Sequence, residues 1–364
     1  MTESKNSGPD DDKGPASSAR GRSRRPVTLR EVASAAGVSV STVSLVINEK
    51  KNARIGAETR QRVQAAIREL GYRPNAMAKN LVEGNSRFIG LVADAIATTP
   101  FAGQIIHGAQ DEAWKHGYVL LVANTEADDD AEAESISMML EHKVRGILYS
   151  TWYHRLVEVP AALTETDFVL VNCFAAEPGP RAVVPDEVAG GRAAAELLLR
   201  QGHRRIAFVN TTTPSPAREG RLRGYQDALT AAGIAFDPAL VLDAQPDQGG
   251  GYEITDAVLA QQVTGVCCHN DRVAMGLYDG LRDRGQRVPE DLAVVGFDNQ
   301  EVIAAHLRPA LSTVALPHYE LGVVGMRVLL GLDQVGDLGR IALDCPPVER
   351  DSIATPPAAT PIKR

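Results

Sequence analysis

The sequence predicts an N-terminal all-α helix-turn-helix domain followed by an α/β core of two doubly wound parallel sheets. Three observations carry this. The stretch Thr28–Asn48, TLREVASAAGVSVSTVSLVIN, holds two short helical patterns separated by Gly37. From Phe88 onward, apolar runs alternate with amphipathic stretches, the pattern of strands covered by helices on both faces. Charge is divided: residues 20–87 hold 14 Lys/Arg against 5 Asp/Glu, while residues 88–364 hold 22 against 37, within a net charge of −8. A basic head on an acidic body is the footprint of a nucleic-acid-binding domain attached to something else. The length, 364 residues, fits two or three domains, and 44% hydrophobic residues suffice for sizeable cores.

The head begins with Thr28 and, three residues on, Glu31, the spacing of a capping box. Val32, Ala35 and Ala36 are expected to form a small apolar face, and Gly37 to end the helix. Ser39 is placed to cap a second helix with Val43, Val46 and Ile47 inward and Val40, Ser41, Thr42 and Ser44 on or near the exposed face. Two helices joined this way match a helix-turn-helix, whose second helix enters the DNA major groove, although an αα-hairpin in a bundle shares the pattern. A basic loop, Glu49–Gly56, carries Lys50, Lys51 and Arg54. A third helix follows, with Val63, Ile67 and Leu70 as its core face and Gly71 at its end. Residues 1–25 read as a disordered tail whose basic end, Arg20 to Arg25, is suited to phosphates.

The segments AGVSVSTVS, TRQRVQAAIRELGYRPN and AKNL resemble the DNA-binding head of the lactose-repressor (LacI/GalR) family of bacterial transcription factors, and the resemblance continues to about Ile353. It implies a helix-turn-helix domain over 26–72, a hinge helix and linker over 73–86, and a periplasmic-binding-protein-like core over 87–354, followed by a tail at 355–364. The core divides into an N-lobe (about 87–185 and 315–340) and a C-lobe (about 186–314 and 341–354). The implied DNA contacts are Thr28, Ser39, Val40, Ser41, Thr42, Ser44, Leu45, Asn48, Lys50, Lys51, Asn75, Ala78 and Leu81. Among these, Val40, Ser41 and Leu45 are expected to read bases, and Leu81 to wedge into the minor groove at the operator centre. Leu45 departs from the arginine usual in the family, exchanging a guanine-reading fork for an apolar contact such as a thymine methyl. Gly56 stands where the family often has a capping serine.

In the core, strands are expected at 88–93, 118–123, 146–149, 168–173, 205–209, 265–268 and 292–296. Helices are expected at Gln104–His116, Ala131–His142, Gly191–Gln201, Arg221–Ala232, Tyr252–Gln261 and Arg272–Arg284. Ligands of open α/β sheets bind beyond the carboxyl ends of the strands. Asn270 and Asp271 follow one such strand, Asp298 another, and Arg221 opens a helix. The resemblance makes Arg221 and Asp271 effector ligands; Asp271 at a helix start serves equally as a cap. Phe101 matches an aromatic near the pocket mouth, and Trp152 is placed to stack on a ligand. Aromatics with Asp and Arg suit a sugar, though a nucleoside or carboxylate also fits.

Cys173, Cys267, Cys268 and Cys345 lack metal-ligand spacing and read as reduced core residues of a cytosolic protein. No apolar run is long enough for a membrane span and no signal peptide is visible. Nucleophile-elbow, P-loop and zinc-protease motifs are absent, so neither an enzyme nor a cofactor is expected. The terminus lacks leucine heptads, leaving no basis for a C-terminal coiled coil. The expectation is a homodimeric regulator binding operator double-stranded DNA and a small effector. A solute-binding transport receptor with the same core is the alternative.

Overall fold

The computed structural model of the protein describes residues 27–48, 55–72, 86–97, 99, 102–176, 179–336 and 339–356. They belong to two units divided between Glu83 and Gly84, each with its own hydrophobic core.

The first unit contains α1 (Leu29–Ala36), α2 (Val40–Ile47) and α3 (Ala57–Leu70). Its core is small: Val32, Ala33, Ala36, Val43, Val46, Val63 and Ala66. Two expected core positions are corrected. Ala33, not Ala35, completes the buried face of α1, and on α3 the buried pair is Val63 and Ala66, with Leu70 37% exposed. Three short helices enclose little volume, so alanines, which let the axes approach closely, take the crossing points.

The second unit holds two sheets. In the N-lobe, β1 (Phe88–Ala93), β2 (Val119–Asn124), β3 (Ile147–Leu156), β4 (Phe168–Phe174), β5 (Ala182–Pro185) and β11 (Arg340–Leu343) form one parallel sheet, ordered β11-β5-β4-β3-β1-β2. In the C-lobe, β6 (Ile206–Thr211), β7 (Val241–Ala244), β8 (Gly265–Cys268) and β9 (Ala293–Val295) run parallel in the order β7-β6-β8-β9. A short antiparallel pair, β10 (Thr313–Val314) with β12 (Pro347–Val348), adjoins β9 through bridges at Ser312 and Ala315. Parallel strands buried on both faces are mostly apolar, and β4, FVLVNCF, is buried from Val169 to Cys173 with Asn172 as its one polar residue.

Helices α4 (Gly103–Lys115), α5 (Asp129–Glu141) and α11 (His318–Leu329) cover the N-lobe sheet. Helices α6 (Glu187–Arg200), α7 (Pro216–Ala231), α8 (Gln248–Glu253), α9 (Thr255–Ala260) and α10 (Asp271–Asp283) belong to the C-lobe. The expected helix over Tyr252–Gln261 is thus two helices, and α7 starts at Pro216, so Arg221 lies in its second turn and does not open it. The chain passes between lobes three times: after Pro185, between Val314 and His318, and between Leu343 and Pro347. The last passage corrects the expected division, because Ile341–Leu343 pair with Val183–Pro185 in the N-lobe sheet.

The α6–α7 crossing positions the cleft residues. A Cβ on Gly224 would sit 2.0 Å from the Val188 carbonyl oxygen, and one on Gly220 would sit 2.6 Å from the Glu187 Cβ. Only bare backbone permits this approach. Gly224→Ala should therefore destabilise the protein by about 1–3 kcal/mol or more, despite a gain of ~1 kcal/mol in helix propensity. Chemical denaturation of the C-lobe checks this; an unchanged or raised midpoint would contradict the packing described.

Candidate functional site

The head presents α2. Thr28 and Glu31 cap α1 reciprocally: Thr28 N–H donates to Glu31 Oε2 (2.6 Å), and Glu31 N–H to Thr28 Oγ1 (3.4 Å). Gly37 takes φ 62°, and Ser39 Oγ accepts from Thr42 N–H (3.1 Å) to start α2. The Ser41 and Thr42 hydroxyls lie 2.7 and 2.8 Å from Ser39 Oγ, so the helix start carries a cluster of three hydroxyls. The axes of α1 and α2 differ by 101°, within the range of a helix-turn-helix. Val40 and Ser41 are exposed, whereas Thr42, Ser44 and Leu45 are half-buried. Asn48 ends α2, its amide donating to Ser44 Oγ (3.4 Å). Gly56 precedes α3 without a side-chain cap. Lys50, Lys51, Asn75, Ala78, Leu81 and Phe101 lie outside the described residues, as do Arg20 to Arg25.

In the core, a cavity of about 370 Å³ lies between the lobes. Its N-lobe wall comes from the end of β3, where the register with β4 shifts between Ser150 and Arg155. Asp94, at the end of β1, holds that irregular stretch: its Oδ1 accepts from Trp152 N–H (2.9 Å), and Arg155 reaches its Oδ2 (3.2 Å). Trp152, Tyr153 and His154 line the cavity as a result, Trp152 and Tyr153 edge to face with centroids 4.8 Å apart. Asn172 joins them from β4 at φ 58°, its amide donating to the Thr151 carbonyl (2.9 Å).

The C-lobe wall comes from the carboxyl ends of its strands: Thr211 at the end of β6 and Arg221 beyond it, Pro246 and Asp247 beyond β7, His269 and Asn270 beyond β8, Asp298 beyond β9. Arg221 is 4% exposed. Its Nε donates to Glu187 Oε2 (2.7 Å), one Nη donates to the His269 carbonyl and lies 3.6 Å from Asp298 Oδ1, and the guanidinium stacks 3.7 Å from the Phe297 ring centroid. Across the lobes, His154 Nδ1 donates to Glu187 Oε1 (3.3 Å). Burial pushes the Glu187 carboxyl up, but Arg221 and His154 overcome it and hold it at about 2. Burial raises Asp298, with Arg221 opposing. Burial lowers His269 well below the usual imidazole range and His318 to about 4, so both are neutral near pH 7.

The expected site residues divide. Trp152, Arg221, Asn270 and Asp298 line the cavity. Asn270 also caps α10, accepting from Val273 N–H (2.9 Å), and donates to the Pro246 carbonyl (3.0 Å). Asp271 is corrected: it is fully buried and absent from the lining, with Oδ1 accepting from Thr313 Oγ1 and Oδ2 from Gln300 N–H, both at 2.6 Å. Neighbouring residues at a strand end point opposite ways, so Asn270 faces the cleft and its neighbour braces the floor. Its role as a cap also falls to Asn270. Glu187, His154, His269 and Asn172 were not anticipated.

Residues 28–75 match the family described as bacterial regulatory proteins, lacI family, and residues 195–353 match the periplasmic binding protein-like domain. The chain is 33% identical to the HTH-type transcriptional regulator RegA of Clostridium saccharobutylicum, over 84% of this chain and 92% of that protein. The chain belongs to the lacI family of bacterial regulatory proteins. It is a DNA-binding transcriptional regulator with a two-lobe, periplasmic-binding-protein-like core. Among solved structures, the lac repressor dimer bound to operator and the anti-inducer ONPF is 27% identical, with a TM-score of 0.76, covering 91% of this chain and all of that one. The complex of transcriptional regulator CelR with cellobiose is 29% identical, with a TM-score of 0.61, covering 90% and 100%. The helix-turn-helix sets this lacI-family chain apart from the transport-receptor alternative. Among its described residues, no single helix is long and apolar enough to cross a membrane.

The Glu187 ionisation links to stability. Its folded value, about 2, lies below the usual 4.5. The stabilisation is therefore complete above about pH 4.5 and is lost as pH falls toward 2. In acid titrations of stability, the advantage of the parent over Glu187→Gln should shrink by roughly 1–3 kcal/mol across that window. A pH-independent difference would show that Glu187 is not held ionised by its partners.

Proposed function

We propose that this lacI-family regulator is a homodimeric repressor that acts in the cytoplasm, reads a near-palindromic operator through α2, and changes its grip when a sugar or related metabolite enters the inter-lobe cleft. The observation that carries the reading is the two-sided cleft. Trp152 and His154 face it from the N-lobe, and Arg221, Asn270 and Asp298 from the C-lobe, so a ligand touching both walls biases how the lobes meet. The CelR relative binds cellobiose, and the Trp152–Tyr153 pair beside carboxylates matches the apolar faces and hydroxyl edges of such a ligand. The cleft binds its ligand and does not transform it; the named relatives are regulators.

On DNA, Val40, Ser41 and Leu45 read bases while Thr42, Ser44, Lys50 and Lys51 meet phosphates, giving register and salt-dependent affinity. Asn75, Ala78 and Leu81 are assigned the hinge contacts that the family resemblance implies. The second subunit lies against the N-lobe edge. There β2 is the last strand of its sheet and carries exposed Val119 and Val122, and α4 carries Trp114 at 63% exposure. An open apolar edge of this kind needs covering, and the lac repressor relative is a dimer on operator.

Selection from a random DNA library with the full-length protein should enrich a near-palindrome. Leu45→Arg should change the preferred base once in each half-site, by about 1–3 kcal/mol of discrimination. No enriched sequence would overturn the reading, and an unchanged profile in the variant would remove Leu45 from the readers. For the effector, a thermal-shift screen of neutral mono- and disaccharides identifies the stabilising sugar. Trp152→Ala should then weaken the effect of that sugar on operator binding by roughly tenfold or more while leaving sugar-free operator affinity unchanged.

A further inference from the structure

We infer that the cleft is built to refuse anions, that Glu187 is the specificity residue responsible, and that the ligand is a hydroxyl-rich molecule carrying neither phosphate nor carboxylate. The inference rests on the reading of the cleft as the effector site and narrows the ligand class.

An arginine at the floor of a cavity is ordinarily an anion receptor, because its planar fork matches carboxylate and phosphate oxygens. Here the fork is engaged from within. Glu187 takes Nε at 2.7 Å, the His269 carbonyl takes one Nη, Asp298 stands 3.6 Å from that same nitrogen, and Phe297 covers a face. An anion approaching Arg221 would meet two carboxylates already beside it, in surroundings too dry to screen them. Around the whole cavity, Glu187, Asp247 and Asp298 face Arg221 and Arg272, so acidic side chains outnumber basic ones. The pocket histidines His269 and His318 add no positive charge near pH 7, because burial keeps both neutral.

What the cleft offers is acceptors. Each Glu187 oxygen receives one donor, from Arg221 and from His154, and retains capacity for another. His154 spends Nδ1 on Glu187 and keeps Nε2 for another partner. That Nε2 is buried without a partner, as is Nδ1 of His269, and both residues line the cavity. Buried polar atoms are ordinarily satisfied, so these two await a ligand's hydrogen-bonding groups. A hydroxyl donates to a carboxylate or imidazole and accepts from an amide without bringing charge; a phosphate or carboxylate brings its negative charge against Glu187 even where it carries a proton to donate.

The test is a calorimetric titration of the full-length protein with inorganic phosphate, at matched ionic strength, in the parent and in Glu187→Gln. Glutamine keeps the shape and removes the charge. Phosphate bound by the DNA-reading head contributes equally to both proteins, so the difference isolates the cleft. Glu187→Gln should bind phosphate at least roughly tenfold more tightly, the change expected when a like charge is removed beside a buried guanidinium. Equal affinities, whether tight in both or undetectable in both, overturn the inference. Should Glu187→Gln fail to fold, Asp298→Asn removes the other carboxylate and carries the same expectation and the same disproof. The titration reads only the charge of the cleft. Its failure leaves the effector reading standing, whereas a cleft that binds no sugar sinks the effector reading without altering the phosphate comparison.

Discussion

The core depends on how one buried cation is satisfied. Arg221 sits almost without solvent in the C-lobe, and a guanidinium there is tolerable only with a carboxylate in contact and acceptors for its remaining N–H groups. Glu187, the His269 carbonyl and Asp298 provide these. Each partner comes from a different segment: the first turn of α6, the end of β8, and the turn after β9. Satisfying one side chain therefore draws together the carboxyl ends of the C-lobe strands, and those ends form the floor of the cavity. The bare backbone of Gly220 and Gly224 lets α7 approach α6 closely enough for the pair to meet.

A second buried acid organises the layer beneath. Asp271 ties the α10 start to Gln300 and Thr313, joining β8, the turn after β9 and β10. Burial, with Asp298 nearby, lifts its pKa well above the usual range. Arg221, reaching Asp298, and Asp271, reaching the Gln300 N–H, thus both hold the turn containing Asp298, whose backbone takes φ 99°.

Much of this was legible in the residues, where the signal was local. The capping box at Thr28 and Glu31, the left-handed Gly37 and the Ser39 cap all appear as read, because each depends on neighbours three residues apart. The long apolar strands were likewise visible. What escaped was short or non-local. The strand AVVP, four residues long, gave no periodicity, so the helix after it was expected only from Gly191, and Glu187 at its start went unnoticed. The strand RIAL, equally short, was not seen, and the lobe boundary expected at about 340 cut through it, leaving residues 341–343 with the C-lobe. The polar run PSPAREGR resembles a loop, although Ser215 caps α7 there and proline is well placed in a first turn. Asp271 was misjudged because a motif gives the order of two residues but not which one faces the cleft.

The bond from His154 to Glu187 differs in kind from the others around it. The Glu187–Arg221 pair lies wholly within the C-lobe, whereas the imidazole belongs to the N-lobe. Parting the lobes would break this hydrogen bond, worth on the order of 1–3 kcal/mol as one to a charged group, and would leave the guanidinium and its carboxylate together. The charged floor of the cleft therefore travels as one preassembled piece, and separating the walls uncovers no lone ion. That keeps the gap between two arrangements of the lobes as small as the free energies by which bound molecules ordinarily couple distant sites.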